Sequence, residues 1–156
     1  MRKHLLLDTN LLILLVTGKT NEFYIERSKR LKSVDRTDYK ILSKIVSESR
    51  GLIFSPNILT ETSNLIDWMK DPAKSEILQT LKDMIHDNEE IYVDSKISSN
   101  RLEYFRLGLT DSVLLALAER GSSLLTLDHH LYIAAVKSRY DAINYNHIRE
   151  RRPDFH

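Results

Sequence analysis

Leu5-Leu6-Leu7-Asp8-Thr9-Asn10-Leu11-Leu12-Ile13-Leu14-Leu15-Val16-Thr17-Gly18 decides how the rest of the chain is read. Three apolar residues are too few for a helix and read as a short buried strand; the apolar run then resumes over 9–17 as a helix ended by Gly18. The same punctuation recurs downstream. Residues 52–54 form a second strand, and Pro56 opens a helix at its first turn, where its missing N–H costs nothing, running to about residue 70. Strands follow at 91–93, 124–127 and 142–144. Helical spacing is read over 37–50, 73–86, 100–106, 110–120 and 129–136, while 21–35 is mixed and charge-rich, a loop with some helix. Short apolar strands alternating with helices predict an α/β fold with a parallel sheet and helices on both of its faces.

The composition agrees with a single domain over 1–156. Hydrophobic residues are 42% and charged residues 29% of 156, ordinary for a globular chain and unlike a disordered one. There are no cysteines, which removes disulfides, thiolate metal sites and cysteine nucleophiles, and fits a reducing compartment. Lys and Arg number 23 against 22 Asp and Glu, so a polyanion would have to be met by a local patch and not by a global field. Met1-Arg2-Lys3-His4 before a Leu-rich stretch has the start of a signal peptide, but Asp8, Thr9 and Asn10 interrupt the run and no cleavage site follows. No stretch is long and apolar enough to span a bilayer. The expectation is a complete cytoplasmic chain with no membrane association.

Sites in open parallel sheets form beyond the carboxyl ends of strands. Asp8 directly follows the first strand and Asp128 the fourth, each also placed to cap the helix after it. Glu61 lies three residues after Ile58 and four before Leu65, on a stripe with Ile58, Leu65 and Trp68 that is expected to face the core. Asp111 shares a face with Leu114, Leu115 and Ala118, and could also serve the positive end of its helix. Two carboxylates about 4 Å apart repel by roughly 4 kcal/mol at an effective dielectric near 20. Four acids gathered in one crevice therefore call for a bound cation or for retained protons. Oxygen-only ligation, without cysteine or regularly spaced histidine, points to Mg²⁺ or Mn²⁺ and to phosphoryl chemistry.

Leu5-Leu6-Leu7-Asp8-Thr9-Asn10-Leu11-Leu12, Ser55-Pro56-Asn57-Ile58-Leu59-Thr60-Glu61, Leu109-Thr110-Asp111-Ser112 and Leu125-Thr126-Leu127-Asp128, in that order, resemble the PIN-domain nucleases from Leu5 to about Asn146. The resemblance implies a three-layer α/β/α sandwich and a metal-dependent endoribonuclease hydrolysing single-stranded RNA. Asp8, Glu61, Asp111 and Asp128 would be both its catalytic and its metal-ligating residues, with Mg²⁺ or Mn²⁺ as cofactor. Thr9, Asn10, Ser112 and Thr126 would support them by hydrogen bonds. Family members often carry another acid or polar residue two places after the last Asp; here His130 stands there. The compact chain is similar to the VapC-type toxins of toxin–antitoxin pairs, which implies a homodimer and an antitoxin partner. The stretch 21–35 and the helix before Ile91 depart from the smallest such toxins.

Phosphates could be held by Arg27, Lys29, Arg30, Lys32 and Arg36, or by a basic tail from about 147 with His147, Arg149, Arg151 and Arg152. Tyr39, Tyr104 and Tyr145 could stack on bases. Two other classes compete. A haloacid-dehalogenase-like phosphatase needs an acid two residues after its first Asp, where this chain has Asn10. A catalytically silent binding module would use the same acids for a structural ion or a partner. A dinucleotide fold is disfavoured because no Gly-rich turn follows the first strand.

Overall fold

The computed structural model describes residues 2–155. In chain order the elements are β1 (Leu5–Leu7), α1 (Thr9–Thr20), α2 (Tyr24–Arg27), a 3₁₀ turn (Lys29–Leu31), α3 (Arg36–Glu48), β2 (Ile53–Phe54), α4 (Pro56–Ile66) and α5 (Ala73–Asp87). There follow β3 (Glu89–Glu90), α6 (Ser95–Ser99), α7 (Tyr104–Leu107), α8 (Leu109–Glu119), β4 (Ser123–Thr126), α9 (His129–Lys137), β5 (Ala142–Asn144) and α10 (Tyr145–Arg149). The chain is a mixed α/β protein whose strand pairs are all parallel.

Three strands form one sheet in the order β1-β4-β5, with Leu7 opposite Leu125 and Thr126 opposite Asn144. β2 and β3 form a separate ribbon that a parallel bridge from Leu5 to Leu52 lays alongside β1. Taken across that bridge the order is β3, β2, β1, β4, β5. The chain thus winds outward on one side of β1 and then returns to the other. This order puts the reversal, and the crevice that goes with it, between the carboxyl ends of β1 and β4.

α1 is buried from Leu11 to Gly18 and packs against α3, α4 and α5. A helix apolar on every face belongs inside, and here it is the centre of the core on one side of the sheet. Gly18 does not end α1 as the sequence suggested; the helix runs on to Thr20. Its role is close approach, since a Cβ there would lie 2.2 Å from the Tyr39 ring on α3. The third strand also lies earlier than expected, at Glu89–Glu90 and not at 91–93, and its two residues are exposed. Of the expected helix at 100–106 only the end is helical, in α7; residues 100–103 form a turn, and α6 precedes the expected span.

α4 departs most from its expected reading. It stops at Ile66, and its buried side carries Ile58, Leu59, Thr62 and Ile66. Trp68, expected on the buried stripe, lies in the turn beyond the helix and is 87% exposed. Glu61 is exposed rather than core-facing. Among the described residues no helix is long and apolar enough to cross a membrane.

Candidate functional site

Asp8 leaves β1 in extended conformation and caps α1, its Oδ1 accepting from Leu11 N at 2.9 Å. The capping reading is therefore correct for this residue, but it accounts for only one oxygen. Oδ2 accepts from the Thr126 hydroxyl and from Leu127 N at 2.8 Å, both on the strand end next door. Asp8 is buried, which raises its pKa; the bonds from Thr126, Leu11 and Leu127 pull it back and the charge of Asp128 pushes it up again.

Asp128 is likewise a cap, accepting from Leu131 N at 3.1 Å at the start of α9. Its backbone N–H donates to the Thr126 hydroxyl at 2.9 Å, so Thr126 links the two strand-end acids directly. Glu61 reaches the same crevice from α4. Its two oxygens accept from Thr9 at 3.0 Å and from the hydroxyl of Thr110.

Asp111 stands in the first turn of α8, which begins at Gly108 without any side-chain cap. Gly108 has φ +88°, a conformation that glycine adopts freely, and it reverses the chain from α7 into α8 so that the first turn opens on the crevice. The Asp111 carboxyl is raised to about 7, first by burial and then by the charges of Asp128, Asp8 and Glu61. Among the described residues no hydrogen bond offsets that rise. The acids singled out in the sequence thus share one electrostatic environment at the carboxyl edge of the sheet. Among the described residues none of the four forms an ion pair; the salt bridges engage other acids, such as Asp38, Asp141 and Glu103.

The donor set fits a hard divalent cation: carboxylate and hydroxyl oxygens, uncompensated charge, and one carboxyl free of protein donors. The ligand cage is not closed, however. Among the described residues no group of three or more His, Asp or Glu side chains is set to hold a metal ion as it stands. His130 is exposed at the start of α9.

Two of the expected supporting residues make the expected bonds, Thr9 to Glu61 and Thr126 to Asp8. Ser112 instead bonds back to Gly108 O at 2.7 Å within its own helix, and Asn10 lines a neighbouring cavity of about 330 Å³. Thr110 was not among the expected supports. Its signal was its place one residue before Asp111, where a first-turn hydroxyl can reach across to α4.

The basic tail is not a free phosphate clamp. Arg152 is buried and its guanidinium donates to Asp35 at 2.9 and 3.0 Å and to Asp38 at 2.8 Å, while Arg149 lies 3.1 Å from Asp38. Tyr145 cannot stack on a base, because it is fully buried with its hydroxyl donating to Asp38 at 2.9 Å. In the earlier basic segment Arg36 pairs with Glu26 at 3.3 Å, whereas Lys29 and Arg30 line the cavity shared with Asn10 and Leu127. No protein-family model matches the chain, and no curated protein matches it in sequence.

Proposed function

We propose that the chain is a PIN-like, three-layer α/β/α endoribonuclease that hydrolyses single-stranded RNA with Mg²⁺ or Mn²⁺. The observation that carries this reading is the linkage of Asp8 to Asp128 through Thr126 and of Glu61 to Thr9 and Thr110 around Asp111, with none of the four acids in an ion pair among the described residues; the raised Asp111 carboxyl agrees with it. A protein keeps such a cluster at a cost, and a bound dication removes it.

Asp8, Asp111 and Asp128 would hold the ion, with Glu61 as a direct or water-mediated fourth group. A bound ion of this kind lowers the pKa of a coordinated water and stabilises a departing oxygen in phosphodiester hydrolysis. The chain's own side chains do the rest. Thr126 fixes Asp8 against β4, and Thr9 and Thr110 fix Glu61 between α1 and α8. Such outer partners aim the ligands. Asp111, lacking a donor, keeps both oxygens available.

The toxin role, an antitoxin partner and a homodimer belong to the same proposal and rest on the resemblance in motif order. Cleavage of an unstructured RNA in Mn²⁺ tests the chemistry. The expected result is cleavage that EDTA abolishes and that Asp111→Asn lowers by more than about 100-fold, beyond the loss usual for an outer-shell partner. Equal, EDTA-insensitive cleavage by both proteins would refute it. Growth arrest on overproducing wild type but not Asp111→Asn tests the toxin role separately.

A further inference from the structure

Trp68 is the chain's sole tryptophan, and it is 87% exposed in the turn after α4. Full exposure of the largest aromatic side chain goes against its usual fate in a chain with a formed core. It lines a cavity of about 460 Å³ together with Arg27, Lys29, Arg30 and Lys70. Among the described residues these four cations form no ion pair, while their neighbours Arg36 and Lys74 are engaged by Glu26 and Asp67. Asp71, on the same wall, accepts on Oδ1 from the Ser75 backbone N–H at 3.0 Å and from its hydroxyl, and is, among the described residues, the one acid in a lining with four cations.

Lys29 and Arg30 also line the cavity that holds Asn10 and Leu127. Asn10 lies two residues beyond Asp8, and Leu127 immediately precedes Asp128. Two hollows thus share Lys29 and Arg30, one lined by residues that neighbour Asp8 and Asp128 along the chain and the other by an indole. We infer that this path holds one arm of a single-stranded RNA, with phosphates on Lys29 and Arg30 and a base stacked on Trp68; it rests on the nuclease reading for what happens at the acids.

The chemistry of the wall selects this occupant. Leu65, Met69, Pro72 and Ala73 also line the hollow, and an apolar peptide would cover them while leaving the cations without partners. A polyanion with flat bases satisfies both features, and stacking accepts any base. Arg27 stands over the Tyr24 ring at 5.6 Å, which orders it at the rim.

The test uses octauridylate and Asp111→Asn protein in Mg²⁺, so that binding is read without turnover. Trp68 emission should be quenched on titration, and Trp68→Ala should weaken binding, followed by anisotropy of labelled octauridylate, by about tenfold. Trp68→Phe should restore most of the affinity. Lys29→Ala with Arg30→Ala should reduce the slope of log K against log salt by about 1.4. Binding that leaves the emission unchanged and is indifferent to Trp68→Ala would overturn the platform, and Mn²⁺-dependent cleavage by wild type would still uphold the nuclease. Quenching of the Trp68 emission together with binding that Trp68→Ala weakens about tenfold, and no cleavage by wild type, would uphold the platform and refute the nuclease. Emission that shifts with protein concentration and not with octauridylate would assign the surface to a second copy and overturn the proposal.

Discussion

Asp111 and Asp8 are both acids in the crevice, yet replacing them should have opposite effects on stability. Asp8 accepts on both oxygens, and Asn there would turn an amide N–H towards Leu127 N–H and the Thr126 hydroxyl. Asp8→Asn should therefore destabilise the protein by about 1–3 kcal/mol, the cost of leaving a buried donor unpaired. Asp111 has only burial and repulsion acting on it. Its folded carboxyl titrates near 7 and its unfolded one near 4, so without metal the folded state binds the extra proton between those values. Stability of metal-free wild type should accordingly fall as pH rises from about 4 through 7. Asp111→Asn should show a smaller fall, the remainder coming from Asp8, whose carboxyl burial also raises, and should melt above wild type at pH 8 in EDTA and close to it at pH 5. Thermal melts at the two pH values check this, and a variant that melts lower at pH 8 would show that Asp111 is paired after all. Thr110→Val gives a milder check on Glu61, with cleavage expected to drop by about tenfold at unchanged melting temperature.

At the scale of elements, two contacts tie α3 to its neighbours, one to α1 and one to α10. Gly18 admits the Tyr39 ring, and a methyl group 2.2 Å from that ring must displace it. Gly18→Ala should cost about 1–3 kcal/mol in urea unfolding, and less when Tyr39→Ala is also present. The second contact ties α10 to α3. Asp38, wholly buried, receives Arg149, Arg152 and Tyr145, and forms a capping box with Asp35. Asp38→Ala takes from Arg149 its carboxylate and from Arg152 its one buried partner, leaving Asp35 and Asp154, and should cost about 3 kcal/mol or more. Asp154→Ala removes only an exposed partner of Arg152 and should cost under about 1 kcal/mol. The sequence shows the strand-and-helix alternation because short apolar runs and Pro56 are local signals. It hides this clamp, since nothing local distinguishes Arg152 facing solvent from Arg152 facing Asp38. Trp68 and Glu61 depart from the expected stripe for a related reason: the helix does not continue past Ile66, and the centre of its buried stripe is Ile58, Thr62 and Ile66.

The whole molecule gathers the acids because the strand order reverses at β1. Asp8 and Asp128 were legible as neighbours once parallel strands were inferred, since both follow strand ends. Glu61 and Asp111 were legible only as candidates, because the packing of α4 against α8 is a tertiary fact. If the four share one ion, adding Mn²⁺ at pH 7.5 should raise the melting temperature of wild type in a concentration-dependent way, as linkage requires, and raise that of Asp111→Asn less. The most direct measurement is diffraction from a crystal soaked in Mn²⁺ and recorded at the manganese absorption edge. The expected result is an anomalous peak bounded by the carboxylates of Asp8, Asp111 and Asp128. A fully soaked crystal with no peak in that crevice would contradict the assignment.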